Sequence, residues 1–315
     1  MKKHAGILFL VITLVNVGFS QSLNIDFIFN PGIALGTEYL MPSALNDSTD
    51  FQLSKYKIQF SQPLKTKVGI DLKGFNFKEM DAKASQLFLD YNFNVIQPNL
   101  TDDNYFETIY TGGVGLTAVK ASLRNGIWIY SANIFASENK TTFSESFVPN
   151  FRGYVANIKT KDLKTFYFYG AGLLVQQGRL VPFPLLGIKT KIASKFRVEL
   201  ILPVHLKLNY RINKKVSIHG IVSYNGINTV YRQGSTFNGN DQSIYLRQLK
   251  TNLSLNAKFG KHYKVKLDVG YASLQQLYSW NNKTGQSLAS ATFVGFSLNY
   301  NFGKSVFGNF MNKGE

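Results

Sequence analysis

The sequence predicts an all-β fold, a closed antiparallel transmembrane β-barrel of about 12 to 14 strands, and three observations carry that prediction. Apolar and polar residues alternate with period two almost from end to end, the mark of strands with two chemically different faces. The alternating runs are about ten residues or longer, whereas strands of soluble domains mostly run about five or six. The chain opens with an export signature, and its 26 Phe, 17 Tyr and 26 Gly favour strands over helices.

The N-terminus places Lys2 and Lys3 before the apolar run AGILFLVITLVNVGF, with Gly18 and Ser20 as small residues ahead of Gln21. This order of basic, apolar and small residues is that of a secretory signal with cleavage after Ser20. The apolar run is shorter than the roughly 20 residues that a spanning helix needs. The expected organisation is therefore a signal peptide at 1–20, an outer-membrane barrel at 21–302 and a tail at 303–315. No cysteine is present, which excludes disulfide staples. The formal net charge of +17 falls to +15 when Lys2 and Lys3 leave with the signal. For an exported chain, nucleic acid is not the expected partner. Anionic head groups, lipopolysaccharide and small solutes, anions among them, are.

Four runs show the alternation most clearly. Leu87, Leu89, Tyr91, Phe93 and Val95 alternate with Phe88, Asp90, Asn92 and Asn94. Leu249, Leu253, Leu255, Ala257 and Phe259 alternate with Lys250, Asn252, Ser254, Asn256 and Lys258. Val265, Leu267, Val269 and Tyr271 alternate with Lys264, Lys266, Asp268 and Gly270. Val294, Phe296, Leu298, Tyr300 and Phe302 alternate with Gly295, Ser297, Asn299 and Asn301. A soluble sandwich with a dry interior also accommodates alternation. Export, strand length and aromatic richness favour lipid outside and water inside, and in lipid such a sheet must close on itself.

The connections fall into two kinds. Ile192-Ala-Ser-Lys-Phe196, Ile212-Asn-Lys-Lys-Val216 and Phe259-Gly-Lys-His-Tyr263 each hold three small or polar residues between apolar ones, which returns the chain with its outward parity unchanged. These are the expected short turns of one barrel end. The polar stretches Asn46 to Asp50, Thr101 to Asn104, Gln233 to Gln242 and Trp280 to Gln286 are the expected loops of the other. Between the first two turns lies FRVELILPVHLKLNYRI, Phe196 to Ile212. As one strand it would be about 56 Å long at about 3.3 Å per residue, with Pro203 unable to donate to the ladder. Two strands meeting near Pro203 fit better, although each is then shorter than the roughly nine to eleven residues of a tilted span.

The mature chain resembles a group of outer-membrane barrel porins from Bacteroidota-type Gram-negative bacteria. The Ser20/Gln21 junction, the segment YFYGAGLLVQQGRLVPFPLLGIKTKI, the FRVELILPVHLKLNYRI stretch followed by NKKVSIHG, and the final SLNYNF carry the likeness. The resemblance implies fold and compartment, and it brings no residue roles. Phe302 fits the terminal aromatic of such barrels, with Gly303 to Glu315 left over as a tail.

No catalytic, cofactor or metal motif stands out. His205 and His219 fall on inward positions of neighbouring strands, where they are either polar lining or a metal or general-base pair. Ser217, His219 and Ser223 share one inward face and are weighed as a hydrolase constellation against ordinary polar lining. Asp47, Asp50, Asp102, Asp103 and Asp241 are read as turn residues in preference to calcium ligands. The glycines at 112, 113 and 115 lie within a strand and do not form a phosphate-binding loop. The informative feature is a basic inward face. Arg197, Lys207, Arg211, Lys250, Lys258, Lys264 and Lys266, with His205 and His219 and the acids Glu199 and Asp268, are the candidate lumen lining. Facing water, they would favour anions; at the barrel ends, they would snorkel towards head groups. A passive pore or small-solute transporter with a mild anion preference is the expected function. A lipid-acting barrel enzyme and a plugged interaction barrel are the alternatives.

Overall fold

The computed structural model describes residues 31–45, 47–71, 81–101, 107–122, 126–139, 149–162, 164–176, 179–231, 242–279 and 286–302. The expected signal at 1–20, the tail at 303–315 and most of the longer expected loops lie outside them.

The alternating runs form strands β1 (Gly32–Ala44), β2 (Asp50–Asp71), β3 (Asp81–Leu100), β4 (Ile109–Ser122), β5 (Gly126–Glu138), β6 (Asn150–Asp162), β7 (Thr165–Gln176), β8 (Arg179–Lys191), β9 (Phe196–Leu202), β10 (His205–Arg211), β11 (Val216–Tyr231), β12 (Gln242–Phe259), β13 (Tyr263–Ser279), β14 (Gln286–Leu288) and β15 (Ala291–Asn301). Sequence neighbours from β1 to β13 pair antiparallel. β14 and β15 both continue along β13, Leu288 opposite Gln275 and Ala291 opposite Ala272, so they are two pieces of one strand. β15 then pairs β1, with Gly32 opposite Asn301, and the ring closes as a 14-stranded antiparallel barrel. The interruption between β14 and β15 is bridged inside by Gln275, whose Nε2 donates to Ala289 O at 2.7 Å and to Ser43 Oγ at 3.2 Å.

The three short turns all lie at the end that carries the first and last strand ends. Ile192 N donates to Phe196 O at 3.1 Å and Ile212 N to Val216 O at 3.1 Å. Asn213 Oδ1 accepts from the backbone of Lys215 and Val216, at 2.8 and 2.9 Å. Gly260 opens the third turn at φ +64°, a conformation that costs glycine little. At the seam, Phe302 donates its backbone N–H to Pro31 O and packs edge-on against Phe60 and Tyr300, an outward aromatic group at this rim.

Leu35, Ile58, Phe93, Leu116, Ile134, Leu208, Leu253, Leu267 and Phe296 stand exposed on the outside. Water would penalise such an apolar belt, and acyl chains would not. On β13 it runs from Tyr263 to Tyr271, about 20 Å of barrel height for a tilted strand.

FRVELILPVHLKLNYRI is indeed two strands. β9 and β10 turn at Pro203 and Val204, with Val204 N donating to Ile201 O at 2.7 Å and a cis Leu202–Pro203 bond. At seven residues each they span only part of the wall. β8 pairs β9 from Leu186 onward, and β11 pairs β10 only up to Ser223. Pro182 and Pro184 stand in the stretch of β8 without a β9 partner, where a missing donor is tolerated. Beyond Ser223, β11 leans over and bridges to β5 in parallel, Val230 opposite Glu138.

The interior departs from a purely polar lumen. One buried apolar cluster lines the inner face of β3 to β8, with Phe88, Ile129, Ile158, Phe168 and Phe183 among its members. A second, including Leu40, Phe51, Leu53, Ile96, Leu277 and Phe293, fills the half away from the short turns.

Candidate functional site

The polar residues left inside form belts that cross-strand register carries from β8 through β13, β15 and β1 to β2 and β3. One belt runs Lys191, Arg197, Asn209, His219, Ser254, Asp268, Gly295, Glu38 and Lys55, each opposite the next on the neighbouring strand. The belt nearer the short turns runs Arg211, Ser217, Asn256, Lys266, Ser297, Gly36, Lys57 and Asn94. Lys258 and Lys264 face each other one step nearer that rim. On the other side of these belts, Phe293, Leu40 and Leu53 pair across β15, β1 and β2 and begin the apolar cluster.

The sequence-predicted lining residues all take inward positions, in three groups. On β9 and β10, Glu199 accepts from His205 Nε2 at 2.7 Å and pairs with Lys189 Nζ at 3.4 Å, while Lys207 stands opposite Glu199. Arg211 reaches back to Ser194 O of the turn at 3.3 Å. On β12 and β13, Lys266 pairs with Asp268 at 2.9 Å, and Asn252 and Ser254 donate to the other Asp268 oxygen. Lys250 ion-pairs with Glu38 of β1, with Lys55 and Lys266 within electrostatic reach of the same carboxylate.

His205 and His219 belong to separate networks: His205 stands opposite Ser223 and His219 opposite Asn209. His219 is buried, with Nε2 3.0 Å from Ser217 Oγ and 3.0 Å from Asn209 Nδ2, and Nδ1 3.2 Å from Asn256 Nδ2. An amide nitrogen thus faces each ring nitrogen, Asn209 at Nε2 and Asn256 at Nδ1, and Ser217 shares Nε2 with Asn209. Ser223 instead accepts from Asn225 at 2.7 Å. Among the described residues no group of three or more His, Cys, Asp or Glu side chains is placed to hold a metal ion.

Sequence reasoning missed the N-terminal contribution to the basic face. Lys55 and Lys57 alternate with the exposed Tyr56 and Ile58, and Lys189 alternates with Leu186, Ile188 and Thr190 in the same way. The signal was available, since the parity argument that selected Lys250 and Lys266 selects these too. The acids that face them, Glu38, Asp90, Glu199 and Asp268, are fewer than the cations and each is held by named partners. The inward face is therefore basic in the half with the short turns, and the second apolar cluster lies beyond it.

Several solved barrels align with the chain at low identity. The COG4313 outer membrane channel of Pseudomonas putida F1 aligns at 8% identity over 87% of this chain and 98% of that one, with a TM-score of 0.39. The transport unit of the autotransporter AIDA-I from Escherichia coli aligns at 10% over 92% and 96%, with a TM-score of 0.34. The translocator domain of the autotransporter NalP from Neisseria meningitidis aligns at 11% over 96% and 95%, with a TM-score of 0.31. No curated protein matches the chain. One family model matches it over residues 32–310, nearly the whole barrel, and the chain therefore belongs to the family described as a domain of unknown function, DUF6268.

Proposed function

We propose that the protein is an outer-membrane barrel that passes small solutes, anions in preference to cations, through an interior gated by apolar packing. The observation that carries this reading is the pair of inward belts in which Lys55, Lys57, Arg197, Arg211 and Lys266 outnumber Asp268 and Glu38. Fixed cations around a narrow passage raise the local concentration of anions and exclude like charge. The exposed apolar belt and the closed sheet support the membrane setting, because a closed barrel is the one β architecture that leaves no backbone edge in lipid. The apolar cluster beyond the belts supports gating, since an apolar constriction conducts ions only when it wets.

The test is conductance of refolded protein in a planar bilayer under a salt gradient. The reading expects small, intermittent openings with a reversal potential displaced towards that of the anion. A folded barrel that stays silent at all applied voltages would remove the pore and leave the plugged interaction barrel in its place.

A further inference from the structure

On the outside of the barrel, at the rim with the short turns, register sets out a second row of residues. Lys67, Ser85, Lys120, Trp128, Asn157 and Tyr169 lie opposite one another in sequence across β2 to β7. The next outward row away from that rim is Leu87, Ala118, Tyr130, Val155 and Ala171, apolar apart from one phenol. The outer surface therefore changes from apolar to cationic in one step.

On the rim side of that step lies an open cleft of ≈ 890 Å³. Lys67, Lys83, Lys120 and Lys159 line it together with Trp128 and Tyr169, and no acid is among its lining residues that the structure describes. Two of these lysines project over aromatic faces: Lys120 Nζ is 5.6 Å from the centre of the Tyr130 ring and Lys159 Nζ 5.8 Å from that of Tyr169. Trp128 stacks on Tyr130 with centroids 6.2 Å apart. Aromatic rings at head-group depth with ammonium groups above them suit a molecule that is apolar below and anionic at its head.

We propose that this cleft seats the phosphodiester of an anionic phospholipid from the leaflet on the short-turn side, its acyl chains running along the Leu87–Ala171 row. The site rests on the membrane reading above. A free phosphate offers the same charge but gains nothing from the apolar row, and a lipid of the opposite leaflet does not reach this rim.

The experiment is native mass spectrometry of the full barrel in detergent, titrated with phosphatidylglycerol, phosphatidylcholine or inorganic phosphate. Wild-type protein is expected to retain phosphatidylglycerol about tenfold more strongly than phosphatidylcholine. K67Q/K83Q/K120Q/K159Q should lose that preference. K195Q/K214Q/K215Q/K261Q, with the same change in charge at the same rim, should keep it. Heat-modifiable gel mobility shows that each variant is folded. Equal loss in both variants, equal retention in both, or displacement of the lipid by inorganic phosphate overturns the proposal.

A second measurement needs no lysine variant. The chain has two Trp, and W280F leaves Trp128 as the sole tryptophan, excited selectively at the red edge of the absorption band where the tyrosines do not absorb. In phosphatidylglycerol vesicles a head-group spin label should quench it more than a mid-chain label, and the reverse order overturns the site. Failure of the folded protein to insert into vesicles at all would instead refute the membrane reading, and the site with it.

Discussion

Lys250 of β12 reaches Glu38 of β1 past two intervening strands, and on the way its ammonium lies 4.5 Å from the centre of the Phe293 ring. The ion pair thus sits where the basic belts meet the apolar cluster. Removing a unit charge about 6 Å from a wet passage changes an ion's energy there by about 0.7 kcal/mol, roughly threefold in permeability. Lys55→Gln and Lys57→Gln should each lower the anion-to-cation permeability ratio by about that factor. Glu38→Gln should raise it. Reversal potentials measured in a salt gradient decide the matter, and three variants shifting in one direction would contradict it.

Leu40, Leu53 and Phe293 belong to the buried apolar cluster beyond the belts, which the proposed pore must wet to conduct. Leu40→Ser with Phe293→Ser gives water hydrogen-bonding partners at that level. The variant should open more often, with open time raised about tenfold, while its ion preference stays with the lysine belts. Single-channel recording reads both quantities at once.

Asp90 ties three strands together on the inner face. It accepts from Ser61 Oγ at 2.6 Å and from Thr117 Oγ1 at 2.8 Å, and both hydroxyls are almost fully buried. Asp90→Ala leaves two buried donors to find new partners and should cost about 1–3 kcal/mol. Asp90→Asn keeps an acceptor oxygen and should cost less. Urea midpoints from gel mobility of the folded and unfolded forms would rank them.

Gly172 leaves room for the Phe183 ring: a Cβ there would stand 2.3 Å from Phe183 Cζ. Gly172→Val should destabilise the barrel by about 1–3 kcal/mol through overpacking. Phe183→Leu in the same chain should recover part of the loss, and the double-mutant cycle measures the coupling. Strict additivity would show that the clash is relieved elsewhere.

The outer face was legible because every strand presents apolar side chains on it, and alternation reports that directly. The division at Pro203 was legible for a related reason: seventeen alternating residues cannot be one ladder with a proline in the middle. The interior was harder to read, because its chemistry changes with height while the pleat does not. In β2 the apolar positions are Phe51 and Leu53, then Tyr56, Ile58 and Phe60, a change of parity within one strand. That change marks the height at which the inside turns from apolar to basic. In β7, TFYFYGAGLLV is apolar on both faces, the pattern of a strand packed on either side. The ring contacts of His219 come from amides of two other strands, β10 and β12, and nothing local encodes them.

The short hairpin at Pro203 has a geometric consequence. A barrel's bore follows from how many strands enclose it. At the rim with the short turns the enclosure runs through the whole ring. Above Pro203 the β5–β11 bridge shortens the circuit to β11, β12, β13, β14 and β1 to β5, leaving β6, β7 and β8 outside it. The enclosure therefore runs through fewer strands away from the short turns than beside them. For the proposed pore, such an asymmetric bore with fixed charge at one end would conduct unequally in the two directions, a polarity set by the seven-residue strands β9 and β10.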